Sequence, residues 1–231
     1  MKTIGLLGGM SWESTQTYYA LINRAVNEKL GGFHSAKIVM VSVDFAEIEK
    51  LQSADDWAGA ADILSRAARQ IEAAGADFLL ICTNTMHEVY DLICASITIP
   101  VLHIADTTAQ RIHELNITTI GLLGTQFTMQ RPFYRERLTE KHGIQVITPS
   151  LTDQERVHAV IYDELCHGII RESSREVYRD VMANLIMSGA EAVVLGCTEI
   201  GLLVSPSDAE VPLIDTTESH AKAAVLEALT S

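Results

Sequence analysis

The chain has 231 residues, 48% of them hydrophobic, enough to bury the core of one large or two small domains. Its formal net charge is −13, and lysine and arginine are scattered rather than massed in a stripe, which argues against a nucleic-acid partner. With no cationic leader and no run of about 18 apolar residues, a soluble cytoplasmic protein without a membrane partner is expected.

In chain order, the run "IGLLGGM" (Ile4 to Met10) ends in glycines that would let backbone approach a ligand, and Ser11 after it suits a helix cap. Then come "KIVMVSV", a helical period from Ala60 to Ala74, and "DFLLIC". The second half offers "TTIGLLG", "QVIT", a helical period from Ser174 to Met187, and "AVVLGC". Strand and helix alternating in this way imply parallel sheets with helices on both faces, because parallel strands need a crossover.

The halves repeat one plan. "IGLLGGM" answers to "IGLLGTQ" (Ile120 to Gln126) at an offset of 116, and "GADFLLICTNT" (Gly75 to Thr85) answers to "GAEAVVLGCTE" (Gly189 to Glu199) at 114. "IPVLHIADTT" (Ile99 to Thr108) loosely matches "VPLIDTT" (Val211 to Thr217). Two small α/β domains of one kind are expected, each presenting polar residues at strand carboxyl ends, where such sheets bind ligands. Facing each other, they would share a cleft.

The repeat sets Thr83 opposite Cys197, since both second-copy positions lie 114 further on. Ahead of a helix amino terminus, Cys197 is expected to favour the thiolate and to serve as a base or nucleophile. Cys82, Cys94 and Cys166 lack that setting and are read as packing residues. No CxxC pair occurs, and the eight histidines never fall at ligand spacing, so reduced thiols and no metal are expected. "GLLGGMS" lacks the glycines of a dinucleotide or P-loop fingerprint, so no nucleotide is expected. Two acid/base groups related by pseudo-twofold symmetry suit racemisation, in which one group removes an α-proton and the other returns one from the far face.

"GLLGGMSWEST", "CTNTMH" and "GCTEIGLL" together resemble the aspartate/glutamate racemase family of cofactor-independent amino-acid racemases, in order and across nearly the whole chain. The resemblance implies two flavodoxin-like domains around a shared cleft, with the final helix returning to the first. That gives residues 1–103 plus 214–231 for one domain and 104–213 for the other. It also implies a homodimer, an amino-acid substrate and no cofactor.

The family usually has cysteine where this chain has Thr83, and Cys82, one residue earlier, should point to the other face of the strand. By resemblance, Cys197 deprotonates the L-amino acid and Thr83 reprotonates it to the D-form. Met10, Asn84, Thr85, Thr125 and Thr198 would line the α-carboxylate and amino pockets, with Glu199 beside Cys197. Where aspartate-preferring members hold a side-chain carboxylate with basic residues, this chain offers Gln52, with Lys50 nearby, and His167. That weaker clamp leaves two substrate readings open, a racemase of aspartate and glutamate or a broader racemase of neutral amino acids such as homoserine, and a third reading, a non-catalytic amino-acid binding protein, takes Thr83 as the mark of a lost activity. Relatives that isomerise maleate, decarboxylate arylmalonates or racemise hydantoins share the plan, but the "GGMSWEST" match favours the amino-acid group.

Overall fold

The alternating runs form two parallel four-stranded sheets in the computed structural model, which describes residues 1–230. One unit comprises Met1–Ile104 with the chain from His220 onward, and the other is the continuous stretch Ala105–Ser219. The first unit contains β1 (Ile4–Gly8), α1 (Trp12–Leu30), β2 (Ile38–Ser42), α2 (Phe45–Ser53), α3 (Trp57–Ala73), β3 (Phe78–Ile81), α4 (Tyr90–Cys94) and β4 (Val101–Leu102). From α5 (Ile104–Glu114) the chain passes through β5 (Thr119–Gly124), α6 (Gln126–Gln130), α7 (Pro132–Glu136), β6 (Gln145–Ile147) and α8 (Leu151–Asp163). It continues with α9 (Glu172–Met187), β7 (Ala192–Gly196), α10 (Ile200–Leu203), β8 (Leu213–Asp215) and α11 (Thr216–Leu229).

Each sheet has the same order, β2-β1-β3-β4 and β6-β5-β7-β8. The return to the first unit falls at His220 rather than at 214, because β8 pairs with β7, Ile214 beside Val194 and Asp215 beside Leu195. The earlier crossing falls at Ala105, one residue past the expected 104.

Alternation along β3 divides its side chains between two cores. Leu79 and Ile81 meet Leu7 and the α3 residues Leu64, Ala68 and Ile71 on one face. Phe78, Leu80 and Cys82 meet Tyr18 and Ile22 of α1 and Val225 of α11 on the other. Burying each such aliphatic or aromatic side chain contributes about 1.5–3 kcal/mol, so both helix layers are needed to hold the sheet. In the second unit Leu123, Val193 and Leu195 face Val157 and Ile161 of α8 and Tyr178, Val181 and Leu185 of α9.

The repeat extends to an acidic staple before each third strand. Asp77 Oδ2 accepts the backbone N–H of Thr3 at 2.5 Å, and Glu191 Oε2 accepts those of Thr118 and Thr119 at 2.8 and 2.9 Å. These bonds keep the Glu191 carboxyl below the ordinary glutamate range.

A larger charge cluster lies in the second unit. Asp106, in the first turn of α5, accepts from Arg137 Nε and Nη2 at 2.7 and 2.8 Å, from Lys141 Nζ at 2.7 Å and from His142 Nε2 at 2.8 Å. Partial burial opposes ionisation of Asp106, but Arg137, His142 and Lys141 overcome it and hold the carboxyl far below its usual range. A depressed folded pKa gives stability that is present above the unfolded value of about 3.9 and is lost as pH falls toward the folded one. Asp106→Asn is therefore expected to lower stability by about 1–3 kcal/mol at neutral pH. In urea unfolding, its deficit relative to the parent chain should shrink as pH drops below about 4. A deficit unchanged by acid would contradict this account.

Candidate active site

The strand orders make β1 and β3, and in the second unit β5 and β7, the neighbours from which the chain winds in opposite directions. In open parallel sheets such switch points, at the strand carboxyl ends, are where ligands bind. Met10, Thr83, Asn84 and Thr85 gather past the ends of β1 and β3, and Thr125, Cys197, Thr198 and Glu199 past those of β5 and β7.

In the first unit Ser11 caps α1, its Oγ accepting from Ser14 N at 3.2 Å. Thr15 Oγ1 accepts from Gly9 N at 2.8 Å and donates to Ser11 O at 2.9 Å. The two glycines before this cap are required by the close packing of the protein itself. A Cβ on Gly8 would lie 2.4 Å from Thr15 Cγ2, and one on Gly9, whose φ is +93°, would lie 2.2 Å from the carbonyl oxygen of Val43. Gly9→Ala adds a backbone clash to a strained φ, so it is expected to cost about 2 kcal/mol or more, measured as a lower urea midpoint. An unchanged midpoint would contradict it. Met10 itself is buried in the core against α2 and α3.

At the end of β3 the alternation separates Cys82 from Thr83. Cys82 is fully buried in the α1 and α11 core, its carbonyl accepts from Ser14 Oγ at 2.9 Å, and burial pushes its thiol up. Thr83 is half-buried, and among the described residues its hydroxyl makes no hydrogen bond, so it does not act as a local strand-end cap. Asn84 and Thr85 follow it, both buried, the latter opening a 3-10 turn at Thr85–Val89. His87, within that turn, bonds the Thr83 carbonyl through Nδ1 at 2.9 Å.

In the second unit the Cys197 thiol donates to Glu199 Oε2 at 3.0 Å, and Glu199 is 4% exposed. Cys197 keeps some exposed surface, yet it borders the apolar core around α8 and α9. Burial therefore raises the thiol well above its ordinary value, and the Glu199 carboxylate raises it further. This corrects the expected resting thiolate: α10 is a four-residue helix without a side-chain cap, and its weak dipole is outweighed by desolvation and a neighbouring negative charge. Thr125 is the N-cap of α6, accepting from Thr128 N at 3.3 Å. Thr198 is buried beside the pair.

The clamp residues separate by exposure. Gln52 is buried on α2, 3% exposed, whereas Lys50 on the same helix is exposed and His167 lies exposed in the turn Leu165–His167. The neighbour of His167, Cys166, packs against the same core as Cys197, in keeping with its reading as a packing residue, and adds to the raised Cys197 pKa. Tyr178 also belongs to this surrounding, with its hydroxyl on Val157 O at 3.2 Å. No sequence pattern marked either residue. Among the described residues no cluster of three or more His, Cys, Asp or Glu is arranged to hold a metal, and no helix is long and apolar enough to cross a membrane.

Two like α/β units, each with polar side chains past the ends of its central strands, define a duplicated enzyme of small-molecule chemistry. Over residues 7–224 the chain matches the Asp/Glu/hydantoin racemase family, and it belongs to that family of isomerases. It resembles the crystal structure of a Yersinia pestis protein provisionally named an Asp/Glu racemase, with 56% identity, TM-score 0.93 and 100% of both chains covered. An aspartate racemase homologue from Pyrococcus horikoshii OT3 superposes with TM-score 0.86 at 31% identity, again covering 100% of each chain. The broad specificity amino-acid racemase RacX of Bacillus subtilis is 25% identical over 160 residues, which cover 68% of this chain and 66% of that protein.

Proposed function

We propose that this racemase acts on free amino acids without a cofactor, interconverting L- and D-aspartate and glutamate and extending to uncharged side chains such as homoserine. The observation that carries the proposal is the Cys197 thiol on the Glu199 carboxylate at 3.0 Å, at the strand end whose counterpart in the other copy presents Thr83. Glu199 accepts the thiol proton and passes it to solvent, the thiolate removes the α-proton of the L-amino acid, and the Thr83 hydroxyl delivers a proton to the opposite face. Solvent then restores the Thr83 proton, since that side chain keeps exposed surface. Asn84, Thr85 and Thr198 supply short polar groups for the α-carboxylate and amino group, and Met10 and Thr125 complete the two strand-end segments.

The wider side-chain range follows from the clamp. Buried Gln52 donates hydrogen bonds without charge, while Lys50 and His167 are exposed, so nothing fixed and cationic demands a second carboxylate. The name of the Bacillus relative agrees with that breadth. The proposal includes a cytoplasmic homodimer, consistent with four free cysteines. The test is incubation in deuterium oxide with separate L- and D-forms of aspartate, glutamate and homoserine, following α-deuteration and chirality together. Deuterium entering with inversion and ending at equal enantiomers is expected. Binding without exchange for every amino acid would replace the racemase by a binding protein.

A further inference from the structure

His87 closes the run "CTNTMH", and the proton transfers described above leave it without a role. The side chain is 2% exposed, and both ring nitrogens are engaged: Nδ1 lies 2.9 Å from the Thr83 carbonyl oxygen, and Nε2 lies 3.2 Å from the backbone nitrogen of Ile104. A peptide N–H only donates and a carbonyl only accepts, so Nε2 is the acceptor and Nδ1 carries the hydrogen. The ring is thus one neutral tautomer, tying the second residue after β3 to the residue that opens α5 just past β4. Aromatic neighbours hold it in place, with His103 at 4.5 Å between ring centroids and Tyr90 and His220 at 6.1 Å. His220 is itself fixed between the Tyr18 hydroxyl at 2.8 Å and the Leu102 carbonyl at 3.0 Å.

We infer that His87 is a positioning residue for Thr83: by gripping the carbonyl of that peptide it sets the direction in which the hydroxyl is presented. The inference rests on the reading of Thr83 as the second proton-transfer group. Thr83 has no side-chain hydrogen bond of its own among the described residues, so its backbone anchor decides where the oxygen sits. A displacement of about 1 Å at a reacting group costs on the order of 10²-fold in rate. Cys197, on a different strand end, does not depend on this anchor.

The test compares the parent chain with His87→Asn and His87→Gln, using L-aspartate in deuterium oxide. Asparagine places an N–H near the Nδ1 position and keeps the bond to Thr83, whereas glutamine reaches the Nε2 position and keeps only the bond to Ile104. For His87→Gln, inversion is expected to fall about 10²-fold while α-deuteration of the L-form with retention stays within a few-fold, and His87→Asn should recover most of the inversion. Equal behaviour of the two variants, an unchanged ratio of inversion to deuteration, or a parallel fall of both signals alongside the urea midpoint would overturn the inference. Should the parent chain neither exchange nor invert, or should Thr83→Ala leave inversion intact, the reading of Thr83 fails first and the inference falls with it.

Discussion

Replacing Cys197 by alanine is expected to lower both α-deuteration and inversion of L-substrates by about 10³-fold or more, because it removes the group that breaks the α-carbon–hydrogen bond. Stability should change by only about 1 kcal/mol, since a small, half-buried side chain is shortened by one sulfur. Glu199→Gln should act in the same direction more mildly, by about 10²-fold, since it removes the acceptor of the thiol proton. The parent chain should show the matching pH dependence. A thiol whose pKa is raised by burial and by Glu199 is protonated at neutrality, and its thiolate fraction grows about tenfold per pH unit below that pKa. Deuteration of L-substrate should therefore climb from about pH 7 to about pH 9 rather than level off. A plateau near neutrality would show that the thiolate is already formed, and residual full activity in Cys197→Ala would remove the thiol from the mechanism.

Thr83→Ala should separate two signals that the parent chain couples. Inversion of L-substrate is expected to fall about 10²-fold, while its α-deuteration with retention continues through Cys197 within a few-fold. Thr83→Cys should do the reverse of damage: a thiol, with an ordinary pKa of about 8.5, ionises far more readily than a hydroxyl, so deuteration of the D-form should rise about tenfold or more. Chiral chromatography must show equal enantiomers at the end of every active reaction, since side chains alter rates and leave the equilibrium alone. If Thr83→Ala inverts substrate as fast as the parent chain, another group returns the proton.

The repeat, the parallel strands and the separation of Cys82 from Thr83 were legible because they depend on period and on alternation, which sequence records directly. The same alternation that buries Leu79 and Ile81 on one side of β3 sends Cys82 to the other. What was not legible depends on distances between residues that no period relates. The raised pKa of Cys197 comes first from burial and then from the neighbouring Glu199, and α10, only four residues long, offers little dipole against them. Cys166 and Tyr178 come beside Cys197 from a turn and a helix far away in sequence. A glycine pair shows only that something approaches closely; on the Cβ side of Gly8 and Gly9 the approaching groups are Thr15 and Val43. The domain return was set six residues early because "LID" reads equally as a linker and as the short strand that it forms.

The discontinuity of the first unit has a consequence for biosynthesis. Translation runs from the amino end, so all of the second unit, Ala105–Ser219, is synthesised before Ala221, Ala224, Val225 and Ala228 are made. Those residues line the core beside Ile4, Leu6 and Tyr18, and the carbonyl of Ala228 accepts the amide of Lys2 at 2.9 Å. Until they arrive, one apolar face of the first sheet is covered by α1 alone, a condition that invites chaperone binding or association with other nascent chains. The unit that is begun first is completed only by residues near the end of the chain.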